Sequence, residues 1–173
     1  MATSLYDLSV ASYIQTVGAV SAYLERGLAH CSENNIDPES IVETRLFPDM
    51  AAFRFQITSV AHHSLGTLAA LKSGEFSPAT DHPPHDYKAL QTLIAETMAT
   101  LQAVSADEIN ALEGNDVAFS FRGFKMPFTA ANFVLSFSLP NVHFHATTGY
   151  DILRMTGVPL GKRDYMGGLR LKG

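Results

Sequence analysis

TAANFVLSFSLPNVHFHATTGYDILRMTG, residues Thr129 to Gly157, reads as one long apolar helix with a proline in its middle. Thr129 suits the N-cap, because its side-chain oxygen can accept from a free first-turn amide. Gly157 followed by Val158 and Pro159 is a stop: glycine takes the left-handed position after the helix, and proline cannot continue it. Phe133, Phe137, Val142, Phe144, Ile152 and Leu153 lie between, with few charges, so the helix is expected to be surrounded on several sides. Pro140 removes one backbone hydrogen bond and presses on the Ser136 carbonyl, at a cost of roughly 3 kcal/mol. The helix must kink there, or break and restart, and the freed carbonyl needs Ser136, Ser138, water or a ligand as partner. A packing kink is the plain explanation; a kink that opens a pocket beside His143 and His145 is the functional one. Those histidines, spaced i, i+2, point roughly 200° apart on a helix and cannot hold one metal together. One should face the core and the other solvent.

The 173 residues are expected to form a single all-α domain over 1–173, large enough for a core without staples. The one cysteine, Cys31, excludes an intramolecular disulfide framework and suits a cytoplasmic location; it sits on an apolar stripe as a small hydrophobe. A net charge of -5 argues against nucleic-acid binding, which needs a basic face. The opening MATSLYDLSV has neither a basic start nor a long apolar run, so no signal peptide is expected, and no stretch is long and apolar enough for a membrane span.

The first long helix is expected from about Ser4 to Asn34. Ser4 and Asp7 form a capping box, and Val10, Ile14, Val17, Ser21, Leu24, Leu28 and Cys31 make its stripe. Asp37-Pro38-Glu39 opens a short helical turn reaching about Glu43. The second helix is expected from an Asp49 N-cap to Lys72, stopped by Ser73-Gly74, with Phe53, Gln56, Ile57, Val60, Ser64, Leu68 and Leu71 inward. Asp49, Gln56 and His63 then lie along one line as a polar thread. Glu75 to His85 is proline-rich and expected to be irregular; His82 and His85 there are either solvated or a metal clip. The third helix runs from about Asp86 to Val104, with Tyr87, Leu90, Ile94, Thr97 and Leu101 inward, and Ser105 with Glu108 caps a short turn to Leu112. Between Asp116 and Phe128 the period changes to two. Val117, Phe119 and Phe121, then Phe124, Met126 and Phe128, flank Arg122-Gly123 as a β-hairpin, and Pro127 marks an edge strand. The tail after Gly157 should lie over a bundle of four long helices.

The run NVHFHATTGYDILRMTGVPLGKRDYMG, Asn141 to Gly167, with RLFPDM at Arg45 to Met50, closely resembles an uncharacterised domain-of-unknown-function family within the DinB/YfiT-like superfamily of four-helix bundles. The resemblance covers nearly the whole chain. It implies a DinB-like four-helix bundle with the hairpin between the third and fourth long helices, and a homodimer. In many DinB-like proteins three histidines hold a metal, one on the second helix and two spaced four apart on the last, and some members are thiol-dependent transferases or isomerases. Imidazoles at i and i+4 share a helix face, and a third arrives from a facing helix. In this chain those three positions fall at Gln56, His145 and Gly149, so one ligand of three survives. Glutamine is a poor transition-metal ligand, and glycine offers no side chain.

Three readings follow. In the first, the chain is an enzyme or small-molecule binder that keeps the superfamily pocket without the triad. Gln56 and His63 then orient a ligand with His145, His145 serves as acid or base near neutral pH, and Tyr150 and Arg163 contribute polar groups at the pocket or its rim. The plain alternatives are a core-satisfied His145, a solvated Tyr150–Arg154 face with an Arg154–Asp151 pair, and tail docking by Lys162, Arg163 and Asp164. In the second, the chain is a non-catalytic structural or interaction homodimer. In the third, His63, or less readily His62, joins His145 in a non-standard zinc or nickel site. Asp49 cannot complete it, lying about 21 Å from His63 along a straight helix at 1.5 Å per residue.

Overall fold

The computed structural model describes residues 3–81 and 83–172. Its elements are α1 (Leu5–Leu8), α2 (Val10–Asn34), α3 (Glu39–Val42), α4 (Phe53–Ser73), β1 (Glu75–Phe76), α5 (Tyr87–Ala103), α6 (Ala106–Asn110), β2 (Asp116–Phe121), β3 (Phe124–Thr129), α7 (Ala130–Phe133), a π-helical turn (Val134–Ser138), α8 (Leu139–Met155) and α9 (Lys162–Met166). Helix α2 packs on α5 and α8, and α4 packs on the same two, so the four long helices close a ring around one core. Among the described residues no helix is long and apolar enough to cross a membrane.

The inward faces of α4 and α5 are those their periodicity requires: Phe53, Gln56, Ile57, Val60, Ser64, Leu68 and Leu71 are buried on one, and Tyr87, Leu90, Ile94, Thr97 and Leu101 on the other. Asp86 caps α5, accepting from the Ala89 amide at 2.7 Å. The first helix departs from expectation. The Ser4–Asp7 capping box is present, but the helix is interrupted at Ser9, whose buried hydroxyl donates to the Leu5 carbonyl. Within α2 the buried positions include Tyr13, Val20, Tyr23 and Gly27, while Leu28 is exposed. The tyrosines bury because their hydroxyls find carbonyls or hydroxyls to bond.

Two glycines let those tyrosines in. Tyr87 of α5 donates to the Leu24 carbonyl at 2.9 Å, its hydroxyl occupying the place a Cβ on Gly27 would need. Tyr23 of α2 donates to the Ala146 carbonyl at 3.2 Å, and its hydroxyl lies 2.9 Å from where a Cβ on Gly149 would sit. Each hydroxyl meets the carbonyl three residues before its glycine, so both glycines mark close helix approach.

Asp49 is not the cap of α4. The helix begins at Phe53 after Ala52, without a side-chain cap, and Asp49 is exposed in the preceding turn. Arg45 donates to the Met50 carbonyl and the Phe53 amide to the Thr44 carbonyl, which fold the segment back before α4 starts. Gly74, at φ 80°, ends α4 in the left-handed conformation. The next two residues are not irregular. Glu75 and Phe76 form β1, pairing parallel with Ala118 and Phe119 of β2, because Phe76 buries itself beneath the hairpin. Strands β2 and β3 pair antiparallel around Arg122 and Gly123, both at positive φ as a type I′ turn requires, and Pro127 lies on edge strand β3. The base of the hairpin packs inward through Val117, Phe119 and Phe128; Phe121 and Phe124 at its tip are exposed. Phe144 is likewise exposed on α8.

A wide turn accommodates the proline. The chain passes from α7 into α8 through one wide turn, in which the Leu139 amide reaches the Val134 carbonyl five residues back. Pro140 thereby stands in the first turn of α8, where its missing N–H costs little. The turn also delivers Ser138 into the core. Its hydroxyl donates to the His63 carbonyl at 3.0 Å and accepts from neighbours, with Tyr13 and Thr67 each 2.7 Å away. Burial pushes the Tyr13 hydroxyl up to about 12, so it stays a neutral donor. After Gly157 the tail lies over α2 and forms the short α9, held by an Arg26–Asp164 ion pair at 2.5 Å. Arg154 donates to the Val158 carbonyl rather than pairing with Asp151.

Ser138→Ala strands the Tyr13 hydroxyl in the core, and stability measured by urea unfolding should drop by about 1–3 kcal/mol. Adding Tyr13→Phe in that background should recover part of the loss; strict additivity of the two would show that the hydroxyls are not coupled. Gly149→Ala should also destabilise, by about 1–3 kcal/mol of overpacking against Tyr23, and Tyr23→Phe should relieve it.

Candidate functional site

Helix α4 turns Phe55, Thr58, Ser59, His62, His63 and Gly66 toward a cleft of about 780 Å³. The opposite wall is Phe137 of the π turn with Asn141 and His145 of α8. Phe76 and Phe119 of the small sheet close one end, Leu93 of α5 adds to the side, and Pro78, Ala79, Asp81, Pro83 and His85 of the loop after β1 complete it. The walls are mainly apolar. Phe76, Phe119 and Phe137 belong to one aromatic cluster, with ring centroids 5.0–6.4 Å apart. Arg54 lines the cleft while paired with Glu43 at 2.5 Å.

Three of the sequence-derived site residues meet here: Gln56, His63 and His145. The Gln56 Nε2 donates to the Ala51 carbonyl at 2.8 Å, which leaves its Oε1 to accept from His145 Nδ1, also at 2.8 Å. A carbonyl can only accept, so this chain of bonds fixes the amide orientation and assigns the His145 proton to Nδ1. The Nε2 of His145 then carries a lone pair. His63 stacks between Phe76 and His145, with centroids at 5.4 and 5.6 Å and interplanar angles of 20° and 16°. Its Nδ1 is buried without a partner.

Both rings are neutral at pH 7. Burial holds His145 down to about 4. It holds His63 down to about 3, assisted by repulsion from any charge on His145 and His62. His145 therefore does not titrate near neutral pH as its type alone suggests. His62 donates from Nε2 to the Ser77 carbonyl at 3.0 Å and ties the loop to α4.

The other candidates lie elsewhere. Tyr150 packs against Tyr165 at 6.1 Å, Arg163 is exposed on α9, and neither lines the cleft. His143 is the exposed member of the histidine pair, 3.3 Å from the Tyr165 hydroxyl, as the helical spacing requires. His85 contacts the cleft and the Pro83 carbonyl; His82 lies outside the described residues.

The three-histidine metal site implied by the superfamily does not fit these residues. Gln56 is committed to His145, and the place of a side chain on Gly149 is taken by the Tyr23 hydroxyl and by Ile57 at 3.1 Å. Among the described residues, no three His, Cys, Asp or Glu gather closely enough to hold a metal ion. Sequence reasoning missed the aromatic wall. Its signal was present in the inward alternation of Val117 and Phe119, which had to cover something, and Phe76 is what they cover.

Comparison with known proteins agrees with this architecture. A crystal structure of a DinB family member protein from Shewanella denitrificans matches with a TM-score of 0.78 at 25% identity, covering 98% of this chain and 95% of that one. No curated protein matches the chain. The profile of the family described as Domain of unknown function (DUF1993) matches residues 5–166, the whole bundle together with α9; the chain belongs to that family, and its fold is DinB-like.

Proposed function

We propose that this protein binds a small organic molecule in the cleft between α4 and α8. The observation that carries the reading is the Gln56–His145 hydrogen bond at the wall of an apolar cleft of about 780 Å³, a volume in the range of small-molecule sites. Apolar walls supply affinity, and the oriented imidazole supplies direction. Binding is favoured over acid–base catalysis because an efficient general base has its pKa near the working pH, and His145 lies far below it, at about 4.

The neutral fluorophore N-phenyl-1-naphthylamine tests this directly. Saturable one-site binding is expected, and Thr58→Trp, which fills the cleft from α4, should weaken it by at least about tenfold. A response that never saturates, or that ignores Thr58→Trp, would rule the cleft out. About one zinc or nickel per chain by elemental analysis, lost in His145→Ala, would replace this reading with a non-standard site built on His63 and His145.

The neutral histidines also predict a pH dependence. Both folded pKa values lie below the ordinary 6.5, so the unfolded chain takes up protons first as pH falls. Their contribution is complete above pH 6.5 and is lost progressively down to about pH 4 for His145 and about pH 3 for His63. The melting temperature should therefore decline through that window, and His145→Phe should flatten the decline between pH 6.5 and 4.

A further inference from the structure

The two cleft histidines are alike in residue type but opposite in hydrogen-bonding sense. At His145, the Gln56 acceptor holds the proton on Nδ1, so Nε2 is an acceptor. At His63, Nδ1 is sealed in the core with no partner. A buried N–H without an acceptor is rarer and costlier than a lone pair without a donor, so the proton of the neutral His63 ring belongs on Nε2. Among the described residues neither Nε2 is sealed away or has a hydrogen-bond partner, and both residues line the cleft. The pair therefore offers one donor and one acceptor, on nearly parallel rings 5.6 Å apart.

We infer that His63 and His145 together recognise an uncharged hydroxyl carried on a flat apolar body, a phenol-type ligand. The inference rests on the cleft reading above and adds to it the chemistry of the ligand. One hydroxyl oxygen can accept from His63 Nε2 and donate to His145 Nε2. An oxygen with hydrogen bonds of about 2.8 Å on each side reaches nitrogens on two neighbouring rings, and these rings are neighbours, nearly parallel with centroids 5.6 Å apart. The walls suit a flat body: Phe76 and Phe137 both pack on His63, with Phe76 stacked on it at 20°. A carboxylate is disfavoured, because it brings a negative charge to the His145 lone pair and finds no unpaired cation there among the described residues. The cationic Arg54 is already neutralised by Glu43. An ether is disfavoured for a simpler reason, as it has nothing to donate.

Three matched probes separate these cases: 2-naphthol, 2-methoxynaphthalene and 2-naphthoate, each titrated calorimetrically into the full chain at pH 7. 2-Naphthol should bind about tenfold more tightly than 2-methoxynaphthalene, the worth of one well-placed hydrogen bond, and 2-naphthoate more weakly than either. His145→Phe should erase the naphthol preference, so that 2-naphthol and 2-methoxynaphthalene bind alike. Gln56→Leu keeps the imidazole but frees its tautomer, and should erase the preference as well; this second variant separates positioning of the acceptor from mere packing of a ring. Equal binding of naphthol and its methyl ether overturns the hydroxyl inference and leaves the cleft reading standing. A preference that survives both variants overturns it too. Failure of all three probes to bind overturns the inference and the cleft reading together.

Discussion

Much of this structure depends on the hydrogen bond from Ser138 to the His63 carbonyl, and on the wide turn that makes it available. Ala130, Val134, Ser138, Val142 and Ala146 are all buried, each four residues after the last. On a plain α-helix of 3.6 residues per turn, a line of such steps rotates about 40° each time, or about 160° over the whole run. No single face could bury all five. The π turn takes up the excess, so that the aromatic half of this segment and the histidine half both look at α4. Without it, His145 would leave the neighbourhood of Gln56 and His63, and the cleft would lose one wall.

The bond at Ser138 is also the point where three helices agree on their depth. Tyr13 comes from α2, Thr67 from α4, and Ser138 from the turn before α8. Hydrophobic contact alone leaves helices free to slide by fractions of a turn. A buried hydroxyl cluster does not, because each unmade bond costs about 1–3 kcal/mol. Pro140 fits this account. It stands just after the wide turn, at a place where a missing amide is harmless, and it discourages a plain α-helical register that would pull Ser138 out of the core.

Legibility in the sequence followed how local each determinant was. The stripes of α4 and α5 were readable from spacing, as were the hairpin with its Arg122–Gly123 turn and the Gly74 stop. The α2 face was misread at Leu28 against Tyr13 and Tyr23, because tyrosine burial depends on partners far along the chain: the Ser138 hydroxyl and the Ala146 carbonyl. Asp49 looked like a cap from its own neighbourhood; the Arg45 bond to Met50, a detail of loop geometry, removed it from the helix. β1 was invisible for a related reason. Two residues carry no period, and only the hairpin lying over Phe76 makes them a strand. For the site, the convergence of Gln56, His63 and His145 was legible, since two helix faces had to meet somewhere. Tyr150 and Arg163 lie apart from it, drawn to α9 and the tail.

At positions 56 and 149, where the resemblance implies metal ligands, the residues present have structural partners instead. Glycine at 149 admits the Tyr23 hydroxyl, which satisfies the Ala146 carbonyl and closes α2 onto α8. Glutamine at 56 holds His145 by Nδ1 and is itself held by Ala51. A ring so held, in a site that keeps it neutral, offers direction rather than charge. Its Nε2 is a fixed lone pair on an apolar wall, and in such surroundings an unmet polar group is expensive while a matched one discriminates sharply. The buried, partnerless Nδ1 of His63 carries the same logic one step further. That cost is borne in the folded protein whether or not anything is bound, and it fixes which side of the ring can speak to a ligand.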